Sequence, residues 1–452
     1  MADDVTRPSL RALVAQTPES RDRVVDLLRA AAILTVVVGH WLAVVIVIRD
    51  GQLSGTNALG LWPPAEWLSW LLQVMPLFFL VGGYAGMASW QSARARDRPP
   101  LGWLEDRLRR LLRPTTVFLA AVLTGIVVGQ LVADPDLVAT AAWLVAISLW
   151  FLAVYVAVVA TTPLLVTAHE RWGLRVPLAL ALAVAVSDGI RVASGIALAG
   201  ALNFLLVWLC LYALGVAWRS GTLLTWRSMP AAMFLVGGLL AVGLVALGPY
   251  PVSMLGVPGE AFQNTAPPTL ALLAYGVAQA GLVLLIRGPL ARLAKLPLVW
   301  TATAAVNATV LTVYLWHMVP VLVAAPTLYL TGILPRPEPL TVDWFALRPV
   351  WVLACAAVLA ILVAALGRIE RPNGRRRPPA AAVTPLRAGA AALGTGSICA
   401  GLALLTAAGV DHVTRPATVA ATVVLYVAGL AIVRAAVRTG RNAKVVSREP
   451  MQ

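Results

Sequence analysis

Two ionisable side chains, Arg29 and His40, interrupt the first apolar stretch of the chain, VVDLLRAAAILTVVVGHWLAVV at residues 24–45. An ionisable group placed in membrane hydrocarbon costs about 2.5–3.5 kcal/mol, so such residues mark functional sites by default. Eleven helical steps make three full turns plus about 20°, which places both side chains on one face, about 16 Å apart along the axis. An imidazole can accept a proton near neutral pH, and a guanidinium can stabilise developing negative charge. The pair is therefore a candidate site for proton transfer or for binding an anionic group.

The Arg29 guanidinium has a potential partner in Asp26, which lies one helical turn earlier and lowers the cost of burying the charge. The structural alternative is that Arg29 reaches lipid phosphate while His40 hydrogen-bonds a neighbouring backbone carbonyl. We favour the functional interpretation because chance is a poor explanation for two costly side chains on one face.

A second intramembrane histidine, His317, lies in the apolar segment VLTVYLWHMVP. It follows the predicted cytoplasmic start of its helix by about 16 Å, which predicts a depth similar to that of His40. Pro320, one turn later, opens the backbone hydrogen bonding of the helix. The alternative is a packed histidine that a neighbouring helix satisfies.

A basic helix precedes the third apolar run, with the sequence EDRLRRLLRPTTVF. Arg107, Arg110 and Arg113 are spaced by three and lie along one side of it, and guanidinium groups suit bidentate contacts with phosphate. The alternative is ordinary cytoplasmic charge that sets the topology.

The glycines of MPLFFLVGGYAGM, Gly82 and Gly86, form a small-xxx-small pattern that lets another helix come close. Packing is its simplest meaning, and Gly82, Gly83 and Tyr84 are supporting residues that help to build a narrow cavity opposite the first helix.

The elements that must position these residues are membrane helices, because 60% of the 452 residues are hydrophobic, 12% are charged and the mean hydropathy is +0.83. Apolar runs recur along the whole chain, which predicts an all-α, polytopic membrane helical bundle with about 12 transmembrane helices. The predicted spans are 24–48, 67–90, 115–132, 138–162, 174–187, 201–218, 230–247, 269–286, 306–331, 349–366, 389–409 and 417–436. A segment from Leu296 onward is predicted to lead into the ninth span as an interfacial helix.

The distribution of basic residues predicts the orientation of these spans. With both termini in the cytoplasm, 30 of the 35 Lys and Arg residues fall on the cytoplasmic side, whereas Asp and Glu divide 11 inside to 9 outside. An asymmetry confined to basic residues is the positive-inside signature. The five basic residues predicted to lie outside are Arg49, Arg191, Arg336, Arg348 and Arg415. The net charge of +15 is thus explained by a basic face next to anionic lipid, and no nucleic-acid partner is expected.

The predicted organisation has five parts: a cytoplasmic segment at 1–23, a ten-helix membrane domain at 24–367, a basic Pro-rich linker at 368–387, a two-helix hairpin at 388–436 and a cytoplasmic tail at 437–452. The three cysteines show no metal spacing, and the chain contains no G-x-S-x-G, Walker A or HExxH motif. A serine hydrolase, a nucleotide-driven pump and a zinc enzyme therefore have no support, and no metal is expected.

Four segments together resemble the membrane acyltransferase-3 family. DLLRAAAILTVVVGH is similar to the first-helix motif of that family, an Arg and a His separated by ten residues with an acidic residue before them. MPLFFLVGGYAG is similar to its F-F-x-x-S-G-F/Y segment, with Gly82 in place of the usual Ser. TVYLWHMVP resembles its late Y-L-x-H segment and contains His317. RLRRLLRP resembles its R-x-x-R motif, in either the Arg107/Arg110 or the Arg110/Arg113 frame.

The resemblance implies an integral membrane O-acyltransferase in the cytoplasmic membrane, with a ten-helix core over roughly 20–370. Its members move an acyl group from cytoplasmic acyl-CoA to a hydroxyl of a glycan, a cell-envelope component or a secondary metabolite, O-acetylation among these reactions. His40, Arg29 and His317 would be the catalytic residues, and Arg107, Arg110 and Arg113 would bind the acyl donor. Acyl-CoA would serve as a co-substrate, with no cofactor bound permanently, and membrane lipid surrounds the protein.

A secondary transporter is the main alternative, since twelve helices with both ends inside is a common transporter topology. Such a protein would use Arg29 and His40 as a substrate or proton site. Transporters tend to show internal repeats, whereas this chain shows none and divides as ten plus two helices.

Overall fold

The computed structural model describes residues 21–49, 52–335, 337–370 and 383–438. The predicted N-terminal segment as far as residue 20, most of the linker and the C-terminal tail from residue 439 lie outside the described residues. The named elements, in chain order, are α1 (Arg23–Ala43), β1 (Val44–Arg49), β2 (Gln52–Asn57), α2 (Ala58–Leu61), α3 (Ala65–Leu72), α4 (Met75–Arg94), α5 (Pro100–Val132), α6 (Pro135–Ala146), α7 (Ser148–Ala160), α8 (Thr162–Trp172), α9 (Arg175–Ser194), α10 (Asn203–Arg219), α11 (Met229–Leu247), α12 (Leu270–Leu285), α13 (Arg287–Leu293), α14 (Pro297–Ala308), α15 (Val310–Trp316), α16 (Val319–Ala325), α17 (Val342–Leu366), α18 (Pro385–Ala407), α19 (Val410–Val413) and α20 (Pro416–Arg438).

The helices form a membrane bundle, as the composition predicted. Among the described residues, ten helices are long and apolar enough to cross a membrane, and two further pairs of helices pass the same test although each is bent. The predicted number of twelve is reached if each bent pair is one crossing. The orientation of the termini stays a prediction.

Both bent pairs have a local cause. Helices α12 and α13 meet at 63°, where the ring of Pro289 has no N–H to donate and crowds the carbonyl of Leu285. Helices α14 and α15 meet at 65° around Thr309. There the carboxylate of Glu370, at the end of the tenth span, accepts from the backbone N–H groups of Leu311 at 2.6 Å and Thr312 at 3.1 Å. Glu370 thus satisfies the amides that the break exposes.

The first span ends earlier than predicted, and a β-hairpin follows it. The chain was predicted to be all-α with a helix to residue 48, but α1 ends at Ala43 and β1 pairs with β2 in an antiparallel register, Val44 opposite Asn57. The run VVIVIR is rich in β-branched residues, which restrict side-chain rotamers in a helix and favour strands.

The fifth span was also predicted incorrectly. It was predicted at 174–187 with Arg191 in an outer loop, but α9 continues to Ser194 and Arg191 is 5% exposed. Its guanidinium donates to the carbonyl of Pro267 at 3.2 Å, lies 3.8 Å from Asp188 and stacks on Phe262. These partners compensate the burial of the charge, so the helix extends past the last apolar residues.

The closest helix contact lies between α4 and α10, at the glycine pattern. A Cβ at Gly83 would stand 1.9 Å from the carbonyl oxygen of Tyr212, and one at Gly86 would stand 1.9 Å from the Tyr212 hydroxyl. From the other side, a Cβ at Gly215 would stand 1.9 Å from the carbonyl oxygen of Leu80. The packing predicted for this segment is therefore present, with Gly83 and Gly86 at the closest approach.

Replacement of Gly83 by Ala should destabilise the protein, because the new methyl group meets backbone that cannot move aside. Overpacking of this kind costs about 1–3 kcal/mol or more. The measurement is the midpoint of thermal unfolding of the purified protein in detergent. Gly125→Ala in α5 is the matched control, since nothing lies within 4 Å of a Cβ there and the helix gains about 0.5–1 kcal/mol. Equal midpoints for wild type and Gly83→Ala would contradict the packing.

The last two long helices, α18 and α20, pack against each other and against the bundle. Gly401 and Gly429 allow close approach, because a Cβ at Gly401 would lie 3.0 Å from the amide nitrogen of Tyr426 and one at Gly429 would lie 2.6 Å from the carbonyl oxygen of Gly394. The Tyr426 hydroxyl hydrogen-bonds the Thr116 hydroxyl at 2.8 Å and donates to the carbonyl of Leu112 at 3.3 Å. The hairpin is thus attached to α5, the helix that carries the arginine set.

Candidate functional site

His40 and His317 lie side by side inside the bundle, with ring centroids 5.0 Å apart and planes at 58°. The Nδ1 of His40 contacts the carbonyl of Val36 at 2.8 Å, and the Nδ1 of His317 contacts the carbonyl of Tyr314. A carbonyl only accepts, so each Nδ1 carries a proton and each Nε2 of the neutral rings carries a lone pair. Within the described ranges, the buried Nε2 of His317 has no hydrogen-bond partner.

The structural alternative for the two histidines is thus realised at one nitrogen only. His40 does bond a backbone carbonyl, that of its own helix, and no hydrogen bond joins the two rings. The pair presents two basic nitrogens that nothing in the described part of the chain engages. Buried polar atoms are nearly always satisfied, so unsatisfied ones call for a functional explanation.

Tryptophans fix the backbone around the pair. The indole N–H of Trp41, next to His40, donates to the carbonyl of His317 at 2.6 Å. The indole N–H of Trp351 in α17 donates to the carbonyl of Trp41 at 2.9 Å. Because both bonds are buried, they hold α1, the end of α15 and α17 in one arrangement and set the distance between the rings.

Arg29 turns toward the interior and away from lipid. Its Nη2 pairs with Asp26 at 2.6 Å, as predicted, and its Nε donates to the side-chain oxygen of Asn307 at 2.7 Å. Asn307 in turn donates to the backbone carbonyl of Asp26 at 2.8 Å. The Arg29 side chain keeps 25% of its surface accessible, so one edge of the guanidinium remains available to a ligand.

The first helix and the broken ninth span therefore form one strip. Arg29 contacts Asn307 next to the break, and His40 contacts His317 ten residues further along. The two pairs are separated by the helical rise of about 16 Å between Arg29 and His40. The sequence predicted the charged and imidazole members of this strip. Asn307 was missed because an uncharged amide in an apolar run is a weak signal, although its position at the break marks it.

The arginine set on α5 divides by direction. Arg107 is partly buried, lies over the Trp103 ring at 5.7 Å, and its charge acts on the Tyr155 and Tyr212 hydroxyls and on Arg29. Arg110 and Arg113 are exposed. In the described part of the chain, Arg98 and Arg109 pair with Asp106 and Glu105, whereas Arg107 has no carboxylate partner.

The supporting residues of α4 lie between these groups. A Cβ at Gly82 would lie 3.2 Å from the ring of Tyr155, so the missing side chain makes room for that ring. The Tyr84 hydroxyl donates to Asp22 at 3.1 Å, next to the start of α1, and Arg287 binds the same carboxylate oxygen at 2.8 Å. Tyr84 thus lies on the Arg29 side of the strip.

Aromatic rings connect the arginines to the histidines. Tyr155 stacks on Phe151 with a centroid distance of 5.5 Å, Phe151 meets Tyr314 at 5.1 Å, and Tyr314 stacks on His317 at 5.7 Å. We call these four residues the aromatic row. It gives an apolar molecule a continuous surface between the cationic groups and the imidazoles. Tyr155 was missed because one tyrosine among many apolar residues carries no positional signal in the sequence.

The fold and the strip define a multi-pass membrane protein with a buried pair of neutral imidazoles and a separate cationic group. No set of three or more His, Cys, Asp or Glu side chains within the described ranges is arranged to hold a metal ion. The acyltransferase-3 family, whose profile is described as an acyltransferase domain, matches residues 22–368, and the chain belongs to this family. The last two long helices, α18 and α20, lie beyond the match. No curated protein and no solved structure matches the chain.

Proposed function

We propose that the protein is an integral O-acyltransferase of the cytoplasmic membrane that moves an acyl group from cytoplasmic acyl-CoA to a hydroxyl of a glycan, a cell-envelope component or a secondary metabolite. Membership in an acyltransferase family supports the transfer reaction. The observation that carries the proposal is the pair of unengaged Nε2 atoms at His40 and His317, held at the end of the aromatic row.

In the proposed reaction, the His40 Nε2 accepts the proton of the acceptor hydroxyl. The oxygen attacks the thioester carbonyl carbon, the carbon–sulfur bond breaks, and the CoA thiolate leaves. The proton held on His40 passes to the thiolate, which restores the neutral imidazole. General base catalysis of this kind contributes about 10²–10⁴-fold. Because the rings share no hydrogen bond, His317 is assigned to the acceptor or to the thioester and not to orienting His40.

Arg29 is assigned to the phosphate-bearing part of the donor. The helical rise of about 16 Å between Arg29 and His40 is too long for both to touch one carbonyl group. The donor therefore extends along the strip, with its phosphates near Arg29 and Arg107 and its thioester at the histidines. Arg110 and Arg113, which are exposed, are assigned to the outer phosphates of the CoA. The inward direction of Arg107 favours the Arg107/Arg110 frame as the R-x-x-R pair.

The first test is release of free CoA thiol from acetyl-CoA and longer acyl-CoAs by the purified protein, with a membrane extract as the source of acceptor. The second compares the masses of envelope glycolipids and small metabolites between a deletion strain and its parent. The expected result is thiol release, together with the loss of one acyl mass from one compound. A transporter that uses Arg29 and His40 for protons would release no thiol, and that outcome would overturn the proposal.

A further inference from the structure

Tyr155 differs from the other tyrosines of the central bundle in having an unengaged hydroxyl. Tyr212 shares a hydrogen bond with Thr162 at 2.7 Å, and Tyr314 donates to the carbonyl of Ser148 at 2.9 Å. The Tyr155 hydroxyl has no hydrogen-bond partner within the described ranges, although protein surrounds the side chain. The side chain still keeps accessible surface, so it faces space inside the bundle. An interior hydroxyl of this kind is available to a ligand.

The charge around this hydroxyl is positive. The guanidiniums of Arg107 and Arg29 both act on it. Arg29 is compensated by Asp26, but Arg107 has no carboxylate within the described part of the chain. A guanidinium and a hydroxyl that converge without an acceptor between them form a site for an anion that accepts several hydrogen bonds.

The ring of Tyr155 is fixed independently of its hydroxyl. It packs edge-on against Phe78 at 5.5 Å and stacks on Phe151 at 5.5 Å, and the absence of a side chain at Gly82 leaves room for it. Tyr155 is therefore the end of the aromatic row nearest the arginines. A ligand with a phosphate at Tyr155 and an uncharged arm along the row would reach the histidine pair with its far end.

We propose that Tyr155 is a donor-binding residue, whose hydroxyl and the Arg107 guanidinium together hold the phosphate that carries the pantetheine arm of acyl-CoA. This inference rests on the proposed function and adds to it the phosphate subsite inside the bundle. A lipid phosphate has the same chemistry, so the test has to separate the two sources.

The test compares Tyr155→Phe with wild type in the thiol-release assay. The expected result is a rise of about tenfold or more in the KM for acyl-CoA, the effect of one lost hydrogen bond to a charged group, with little change in kcat. An acylated pantetheine without phosphate should show the same KM for both proteins. The thermal midpoint should not fall, because the removed hydroxyl has no protein partner.

Tyr212→Phe is the matched control. It also removes one tyrosine hydroxyl near Arg107, but that hydroxyl is already bonded to Thr162. We expect a lower thermal midpoint and an unchanged KM for acyl-CoA.

Three outcomes would overturn the inference. The first is an unchanged KM in Tyr155→Phe while wild type remains active. The second is an equal rise in KM for the donor without phosphate. The third is a KM effect that appears with anionic lipid and vanishes in nanodiscs of neutral lipid, which would assign the subsite to a lipid phosphate. A wild-type protein that releases no thiol would instead refute the proposed function itself.

Discussion

Replacement of His40 by Ala is expected to reduce acyl transfer by about 10²–10⁴-fold, the contribution of a positioned general base. The reason is the geometry at the ring, whose Nδ1 is held by Val36 while its Nε2 is free to accept the proton of a hydroxyl. The KM for acyl-CoA should change little, since the imidazole lies far from the phosphates. The measurement is the kcat for thiol release and for product formation.

The fold of His40→Ala should be retained, because the only hydrogen bond lost is one to its own helix. His412→Ala is the matched control, since that imidazole is exposed at the edge of the bundle and should leave both constants unchanged. Activity of His40→Ala within a few-fold of wild type would show that another group accepts the proton.

Arg29 gives the second large effect, and two substitutions separate its roles. Arg29→Lys keeps the charge next to Asp26 but cannot reach Asp26 and Asn307 at once with a planar group, so we expect near-normal stability and a KM for acyl-CoA raised about tenfold or more. Arg29→Gln removes the charge as well. Breaking a buried ion pair costs about 3–5 kcal/mol, and the remaining Arg21 contact makes the lower end of that range the expected loss.

Arg21→Gln is the control for stability, because Arg21 binds the same carboxylate with a side chain that is 49% exposed. Exposed ion pairs contribute at most about 1 kcal/mol, so its thermal midpoint should stay close to wild type. If Arg29→Lys binds acyl-CoA as tightly as wild type does, the guanidinium does not contact the donor and Arg29 serves the packing of α1 alone.

The sequence was sufficient for the class of fold, because the hydrophobic run that a membrane requires is long and easily read. It was not sufficient for the breaks in the helices. The bend at Thr309 has no proline, and the carboxylate that satisfies its amides belongs to Glu370, which is distant in sequence. Likewise, the strand that begins at Val44 continues the apolar run of the first helix, and hydropathy alone does not distinguish the two.

The candidate site was predictable in proportion to the cost of its residues. Arg29, His40 and His317 stood out because ionisable groups in hydrocarbon need a reason. Asn307 and Tyr155 cost little to place in an apolar helix, so only the neighbours that tertiary packing supplies distinguish them. The contact between the two histidines, 277 positions apart, was expected from their depth, whereas the separation and orientation of their rings depend on the tryptophan bonds to the backbone.

The attachment of the last helix to α5 has a consequence for shortening the chain. Tyr426 engages the Thr116 hydroxyl and the Leu112 carbonyl, which lie within two residues of Pro114 and directly follow the arginines. A protein cut at the boundary of the family match would expose this side of α5 to lipid at the place where the proline has already weakened the helix. The smallest autonomous unit for expression is therefore larger than the region that the family shares, and it includes the terminal hairpin.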